Sequence, residues 1–183
     1  LYKNTCTDSF PAFSYVTDDF AGFSQLKLLC IIPAFGDVDG DSAAEMIIGR
    51  SDGTIDLYEN TAPYGSPMNM VLAQSNYAGI NVGKFSAPQL FDLDNDSLLD
   101  LVIGEKNGNL NFYKNTGTIS NPLFSLITGT LGGVDVVDHQ VSNYGYSIPC
   151  FFRDSVGLIK LFVGSESGYI YYYKDIEANL SGQ

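Results

Sequence analysis

The sequence predicts an all-β fold: β-propeller blades of four antiparallel strands, in about three repeats. Apolar residues alternate or form short β-branched and aromatic runs between Gly, Asn, Asp and Ser turns, with no sustained helical period. One segment recurs three times without a gap, as MIIGRSDGTIDLYENT (46–61), LVIGEKNGNLNFYKNT (101–116) and LFVGSESGYIYYYKDI (161–176). Several short strands per repeat are typical of a propeller blade. A β-sandwich is the alternative, but it does not explain the repeat.

Two glycines mark each repeat. Gly49, Gly104 and Gly164 stand at the same phase, and each is followed four residues later by the glycine of an SDG, KNG or ESG turn. Such turns favour a positive φ at the glycine, and alternating residues flank them. The pattern therefore predicts an antiparallel hairpin in every repeat.

The repeats divide the chain into one repeat domain, residues 1–183. LYKNT at the start resembles LYENT and FYKNT later in the chain, which places a blade's last strand there. Three blades cannot close a ring of four to eight. We therefore expect a partial propeller, or a ring completed by further sequence or by self-association through open blade ends. The predicted units are 1–5 (last strand of a preceding blade), 6–62 (blade 1), 63–117 (blade 2), 118–176 (blade 3) and 177–183 (start of a following unit, or a tail).

Two acidic loops occupy the same phase of the first two repeats, DVDGDSAAE (37–45) and DLDNDSLLD (92–100). Carboxylates at alternate positions of a coiled loop can converge on one hard cation, for which Ca²⁺ takes six to eight oxygens. Without a cation these charges repel one another or take up protons. The predicted ligands are the acids at positions 1, 3, 5 and 9 and the backbone carbonyl at position 7: Asp37, Asp39, Asp41, Ala43 and Glu45, and Asp92, Asp94, Asp96, Leu98 and Asp100.

The alternatives to calcium loops are a solvated acidic turn and an EF-hand. A solvated acidic turn does not explain why the spacing recurs at one phase of the repeat. An EF-hand also begins D-x-D-x-D, but it needs Glu at position 12 and flanking helices. Ile48 and Ile103 stand at that position, in strand-like runs. The sequence therefore favours two calcium sites outside the EF-hand class.

The segments FGDVDGDSAAEMIIG and LFDLDNDSLLDLVIG resemble the FG-GAP or VCBS repeats of integrin alpha-subunit propellers and of many secreted bacterial proteins. The YKNTG and NPLFSL linkers are similar to surface proteins of Bacteroidetes-type bacteria. The resemblance covers essentially the whole chain. It implies a calcium-stabilised propeller that is secreted or at the cell surface, with the eight acidic positions as ligands.

Two departures from the family pattern concern the loops. Ser42 and Ser97 stand at position 6, where the family usually has Gly; if φ is positive there, Ser costs about 1 kcal/mol. The third repeat reads FRDSVGLIK (152–160), which keeps Asp154 and has Lys160 at position 9. Because an ammonium cannot ligate a cation, we predict no calcium in blade 3.

Composition excludes some partners. The net charge of −12 with nine Lys and Arg argues against nucleic-acid binding. The longest apolar run, 26–35, is interrupted by Pro33, so no membrane span is predicted. Cys6, Cys30 and Cys150 form no metal or disulfide pattern, although one disulfide stays open as an alternative. Cys30 and Cys150 lie in apolar runs, which predicts small buried thiols.

The sequence favours a binding module over an enzyme. Its ligand would be a protein or glycan at the cell surface, with calcium structural, and the aromatic run 169–174 can supply surface rings or pack between blades. The alternative is a catalytic or non-catalytic part of a calcium-dependent polysaccharide-degrading enzyme. No nucleophile motif is present, and the one histidine, His139, follows Asp138 in a predicted loop.

Overall fold

Strands and short connections account for nearly all regular structure. The computed structural model describes residues 1–181, in which thirteen β-strands and four short 3-10 helices occur. The predicted all-β class is therefore confirmed. None of the helices in this part of the chain has the length and apolar character needed to cross a membrane.

The strands form four antiparallel sheets, which we call sheets I to IV in chain order. Strands that are consecutive in the chain are neighbours in each sheet, and residues 1–181 form no closed barrel or ring. Sheet I contains β1 (Tyr2–Asn4) and β2 (Phe13–Tyr15); sheet II contains β3 (Ile32–Gly36), β4 (Glu45–Gly49), β5 (Ile55–Asn60) and β6 (Met70–Gln74); sheet III contains β7 (Ala87–Phe91), β8 (Asp100–Gly104), β9 (Leu110–Asn115) and β10 (Phe124–Thr128); sheet IV contains β11 (Ile148–Arg153), β12 (Ile159–Gly164) and β13 (Ile170–Lys174).

The sheets are offset from the predicted units. Strand β6 falls in unit 63–117 but pairs with β5 of sheet II, and β10 falls in unit 118–176 but pairs with β9 of sheet III. Strand β1, expected to end a preceding blade, is followed in its own sheet by β2. Strands β2, β6 and β10 are thus the outer strands that complete sheets I, II and III, because a short link between antiparallel strands favours a hairpin.

A recurring Asn-Thr pair forms the turn into each of these outer strands. The Asn115 side-chain oxygen accepts the N–H groups of Gly117 and Leu123, both at 3.0 Å. The Thr116 N–H and hydroxyl both donate to the Leu123 carbonyl, at 2.8 and 3.1 Å. Asn4 and Asn60 accept the equivalent pairs of N–H groups. The repeated NT in the sequence therefore indicates a turn that is stabilised by side-chain hydrogen bonds to the backbone.

Substitution of Asn115 tests how much these side-chain hydrogen bonds contribute to stability. Asn115 is buried, with 3% of its surface exposed, and Asn115→Ala leaves two N–H groups without their acceptor. We expect the free energy of unfolding to fall by about 1–3 kcal/mol in urea denaturation. The matched control is the exposed Asn143→Ala, for which a change below about 0.5 kcal/mol is expected. If both substitutions change the free energy of unfolding equally, the proposed role of the Asn115 side chain is contradicted.

Sheets II, III and IV pack face to face. One buried cluster joins Ile47 of sheet II to Leu101 and Ile103 of sheet III. A second cluster joins Val102, on the opposite face of sheet III, to Leu161 of sheet IV. Strand β8 is buried on both faces, which explains why its sequence is a continuous apolar run rather than an alternating one.

Short helical turns fill the spaces beside the sheets. Tyr77 and Leu131 each begin such a turn after an outer strand, and each is buried in a cluster between two sheets. These turns give no signal in the sequence, because three residues carry no helical periodicity. The four 3-10 helices are Phe20–Leu26, Tyr77–Gly79, Leu131–Gly133 and Ile176–Ala178.

The two glycines of each repeat have different roles. Gly53, Gly108 and Gly168 have φ of 88°, 90° and 80°, which confirms the predicted hairpin geometry. Gly49 and Gly104 lie at close contacts between neighbouring sheets. A Cβ atom on Gly104 would lie 2.0 Å from the backbone oxygen of Ser147. In the first two repeats this glycine is therefore needed for close packing between sheets, whereas a Cβ atom on Gly164 in the third repeat would meet no atom within 4 Å.

At each of these close contacts, the hydroxyl of a buried serine forms hydrogen bonds between the two neighbouring sheets. Ser147 is fully buried; its hydroxyl accepts the Glu105 N–H at 2.9 Å and donates to the Asn109 carbonyl at 2.6 Å. Ser86 makes the equivalent bonds to Arg50 and Thr54, at 2.7 and 2.6 Å. Each serine thus links the strand that opens one sheet to the hairpin of the sheet before it.

Candidate metal centre

The two acidic loops hold equivalent places in sheets II and III. Each connects the first strand of its sheet to the second, β3 to β4 and β7 to β8. In each loop the acids at positions 1, 3 and 5 converge, so that one oxygen from each lies within 4.8 Å of the others. The first triad is Asp37, Asp39 and Asp41, and the second is Asp92, Asp94 and Asp96.

The acid at position 1 also organises the loop backbone. Asp37 accepts the N–H groups of Gly40 and Ser42, at 2.6 and 3.0 Å. Asp92 accepts those of Asp96 and Ser97, both at 3.1 Å. These bonds coil the chain around the carboxylate, which brings the later acids of the loop back towards the first.

Backbone strain at position 6 accompanies this coil. Ser42 and Ser97 have φ of 72° and 70°, in the left-handed region that favours glycine. Both serines therefore have the positive φ for which an energetic cost relative to glycine is predicted. Each serine costs about 1 kcal/mol relative to glycine in this conformation.

The acids at position 9 lie beneath the loops and are not part of the triads. Glu45 and Asp100 begin the second strands of their sheets and are 3% and 0% exposed. Glu45 accepts the Val38 N–H at 2.8 Å. Asp100 accepts the Leu93 N–H on one oxygen and the Asn115 N–H on the other, at 3.1 and 2.9 Å. These bonds tie each loop to the strand that follows it, and in sheet III to β9 as well.

Burial shifts the protonation of both position-9 acids. It raises the pKa of Asp100 to about 6, against the lowering effect of the N–H bonds from Asn115 and Leu93. The negative charges of Asp94 and Asp96 raise it further. Burial also raises the pKa of Glu45, and the charges of Asp39 and Asp41 add to that effect. The protein thus holds buried carboxyl groups beside a concentration of negative charge.

The residues at position 7 contribute through their N–H groups. Ala43 donates to Asp41 Oδ1 at 2.7 Å, and Leu98 donates to Asp96 Oδ1 at 2.9 Å. The Leu98 bond is the main cause of the lowered pKa of Asp96. Ligation of a metal by the Ala43 and Leu98 carbonyls stays a prediction.

The two triads differ in how their charge is balanced. The ammonium of Lys114, on β9, contacts Asp94 Oδ2 and lies 3.2 Å from Asp96 Oδ2. These two carboxylates raise the pKa of Lys114 above its ordinary value. The other oxygen of Asp94 is buried without a hydrogen-bond partner. In residues 1–181, no Lys or Arg forms an ion pair with the first triad.

The third repeat has a tight hairpin in place of an acidic loop. Phe152 lies opposite Lys160 in sheet IV, as Phe91 lies opposite Asp100 in sheet III, so this connection is one residue shorter. Asp154 accepts the N–H groups of Val156 and Leu158 and lies 3.4 Å from the Lys160 ammonium. The gapless alignment of 152–160 with the acidic loops is therefore wrong by one residue. The absence of calcium from blade 3 stays a prediction.

The other residues singled out from the sequence lie away from the acidic loops. Cys30 and Cys150 are exposed free thiols, as is Cys6, so the expectation that the first two are buried is wrong. His139 is exposed. In the aromatic run, Tyr171 and Tyr173 pack against the core between sheets III and IV, whereas Tyr172 is exposed.

Lys114 is not among the predicted site residues, because it lies 20 residues beyond Asp94 in the chain. The available signal was its place in the FYKNT segment, on a strand next to the one the loop enters. Comparison of the chain with family models, with curated proteins and with solved structures finds no match.

Proposed function

We propose that this chain is a calcium-binding module of the FG-GAP or VCBS class, in which sheets II to IV are successive blades of a β-propeller. The observation that carries the proposal is the pair of aspartate triads at equivalent loops, each with oxygens within 4.8 Å of one another. Face-to-face packing of consecutive antiparallel sheets supports the propeller arrangement.

The donor set and its spacing fit calcium. Ca²⁺ binds oxygen at about 2.3–2.6 Å, so two ligands on opposite sides of one ion lie about 4.6–5.2 Å apart. The triads offer carboxylate oxygens only, within 4.8 Å, and thus suit a hard cation better than zinc, which favours nitrogen and sulfur. Asp37, Asp39 and Asp41 would hold the ion in the first loop, and Asp92, Asp94 and Asp96 in the second.

The role of the ion is structural in this proposal. Each triad lies between the first two strands of a sheet, and the position-9 acid begins the second strand. A bound cation removes the repulsion within the triad and lowers the cost of the buried Glu45 or Asp100 charge. Both effects stabilise the connection between the two strands.

The partner in this proposal is a protein or glycan outside the cell. Phe152, Phe162 and Tyr172 form an exposed row across sheet IV, with ring centroids 5.5 and 5.1 Å apart. Such rings are suited to contact with a sugar or an apolar partner surface. Retention of glycans or proteins without turnover supports a binding module, whereas new reducing ends or unsaturated products support the polysaccharide-degrading alternative.

Calcium dependence of stability tests the proposal. A metal that binds only the folded protein adds about 2.7 kcal/mol at 100 times its Kd. We therefore expect EGTA to lower the Tm, and calcium, but not an equal concentration of NaCl, to restore it. Asp37→Asn should lose much of the calcium-dependent part of the Tm, whereas Asp8→Ala, an exposed acid outside the loops, should retain it. A Tm that does not change with chelator or calcium contradicts the proposal.

A further inference from the structure

We propose that Lys114 controls the calcium affinity of the second loop, so that the two loops bind calcium with different strengths and the first fills before the second. The inference rests on the proposed calcium function and concerns the difference in calcium affinity between the two loops.

Lys114 is held against the second triad by the sheet. Its ammonium contacts Asp94 and lies 3.2 Å from Asp96, and the side chain is 33% exposed. The next residue, Asn115, donates its backbone N–H to the buried Asp100 at 2.9 Å. That bond fixes the end of β9 beneath the loop, so Lys114 reaches the carboxylates from an anchored backbone.

The first loop has no such competitor. In the gapless repeat the residue equivalent to Lys114 is Glu59, which is exposed. In the part of the chain that the structure describes, none of the ion pairs involves Asp37, Asp39 or Asp41. A cation that enters this loop therefore displaces no ammonium and meets the uncompensated charge of the triad.

In the second loop a cation must replace an existing charge partner. Calcium and the ammonium seek the same oxygens of Asp94 and Asp96, and an ammonium that stays nearby repels the ion. The site is not fully satisfied by the lysine, since Asp94 Oδ1 is buried without a hydrogen bond. The second loop therefore retains capacity for calcium, at lower affinity.

The third repeat gives an independent example of internal compensation. Lys160 lies 3.4 Å from Asp154 in the short hairpin of sheet IV. The series runs from a triad without an ammonium, through a triad with one, to a single acid paired with one. Lysine position thus distinguishes the three connections.

Calorimetric calcium titration of loop-specific variants tests the inference. Asp37→Asn disables the first loop and reports on the second, while Asp92→Asn does the reverse. Lys114→Met is added to each, with Lys114→Gln as a second variant in case the first does not fold by circular dichroism. The matched control is Lys174→Met, since Lys174 is exposed at the equivalent position of the third repeat.

In the Asp37→Asn background, Lys114→Met should tighten calcium binding by ~10-fold or more, because a competing positive charge is removed. Lys174→Met should leave the affinity unchanged, as should Lys114→Met in the Asp92→Asn background. If Lys114→Met does not change the calcium affinity of the second loop, the inference is overturned while the calcium function stands. If neither wild type nor Asp92→Asn binds calcium, the proposed function fails and the inference fails with it.

Discussion

Gly104→Ala is expected to destabilise the protein by about 3 kcal/mol or more, one of the largest effects of a single added methyl group in this chain. The new Cβ would lie 2.0 Å from the Ser147 backbone oxygen and 2.9 Å from its hydroxyl. Neither atom can move without breaking other contacts, because the Ser147 hydroxyl is hydrogen-bonded to the backbone of Glu105 and Asn109 between sheets III and IV.

Gly164→Ala provides the matched control. Gly164 holds the same phase of the repeat in sheet IV, but an added Cβ there meets no atom within 4 Å. Its expected effect is between zero and a stabilisation of about 1 kcal/mol, since alanine reduces the freedom of the unfolded chain. Urea denaturation of both variants measures the difference. Similar stabilities would show that sheets III and IV do not approach each other as described.

The second large expected effect is that the calcium-free protein loses stability as the pH rises. Burial raises the pKa of Asp100 from 3.8 to about 6, and it raises the pKa of Glu45 as well. The folded protein therefore binds these protons more tightly than the unfolded chain does. The resulting stability is fully present below pH 3.8 and is lost as pH rises through 6. For Asp100 alone, a shift of about two pKa units corresponds to about 3 kcal/mol.

Thermal unfolding in EGTA between about pH 4.5 and 7.5 measures this effect, and the Tm should fall as pH rises. Four acids oppose the trend, but their pKa values are lowered from 3.8, so they titrate mainly below that range: Asp19, Asp52, Asp96 and Asp154. Asp100→Asn removes the titrating group and should flatten the slope. A Tm that rises across this range, or a slope unchanged in Asp100→Asn, would show that Asp100 is not the controlling group.

The features that the sequence predicted correctly are local. The glycines of the SDG, KNG and ESG turns have the positive φ that the hairpins require. The acids at positions 1, 3 and 5 converge in both loops, because each loop is coiled by backbone bonds to its own first carboxylate. Spacing within nine residues is enough to predict such geometry.

Pairing between segments was harder to predict. The periodicity of the run that contains β6 shows a strand but not its partner, and β6 pairs with β5 rather than opening the next sheet. The recurrence of Gly104 marks the repeat but does not show its role, which depends on contact with Ser147, more than 40 residues away in the chain. Cys150 lies in an apolar run but on the exposed face of sheet IV. The sequence alone does not show which face another sheet covers.

The candidate site shows the same limit. The acidic positions can be identified from either loop alone, but the charge that balances Asp94 and Asp96 comes from Lys114 on another strand. Likewise, the burial of Asp100 depends on the packing of sheet III rather than on its neighbours in the chain. Burial of the position-9 acid is shared by the two loops, so it is Lys114 that makes two loops of similar sequence chemically different.

We propose that each acidic loop holds a calcium ion, which joins the first two strands of its sheet. A crystal structure determined from calcium-containing solution tests it most directly. We predict an ion in the first loop, about 2.3–2.6 Å from oxygens of Asp37, Asp39 and Asp41, and at higher calcium a second ion in the loop of Asp92. A first loop that holds only water at millimolar calcium would contradict the account.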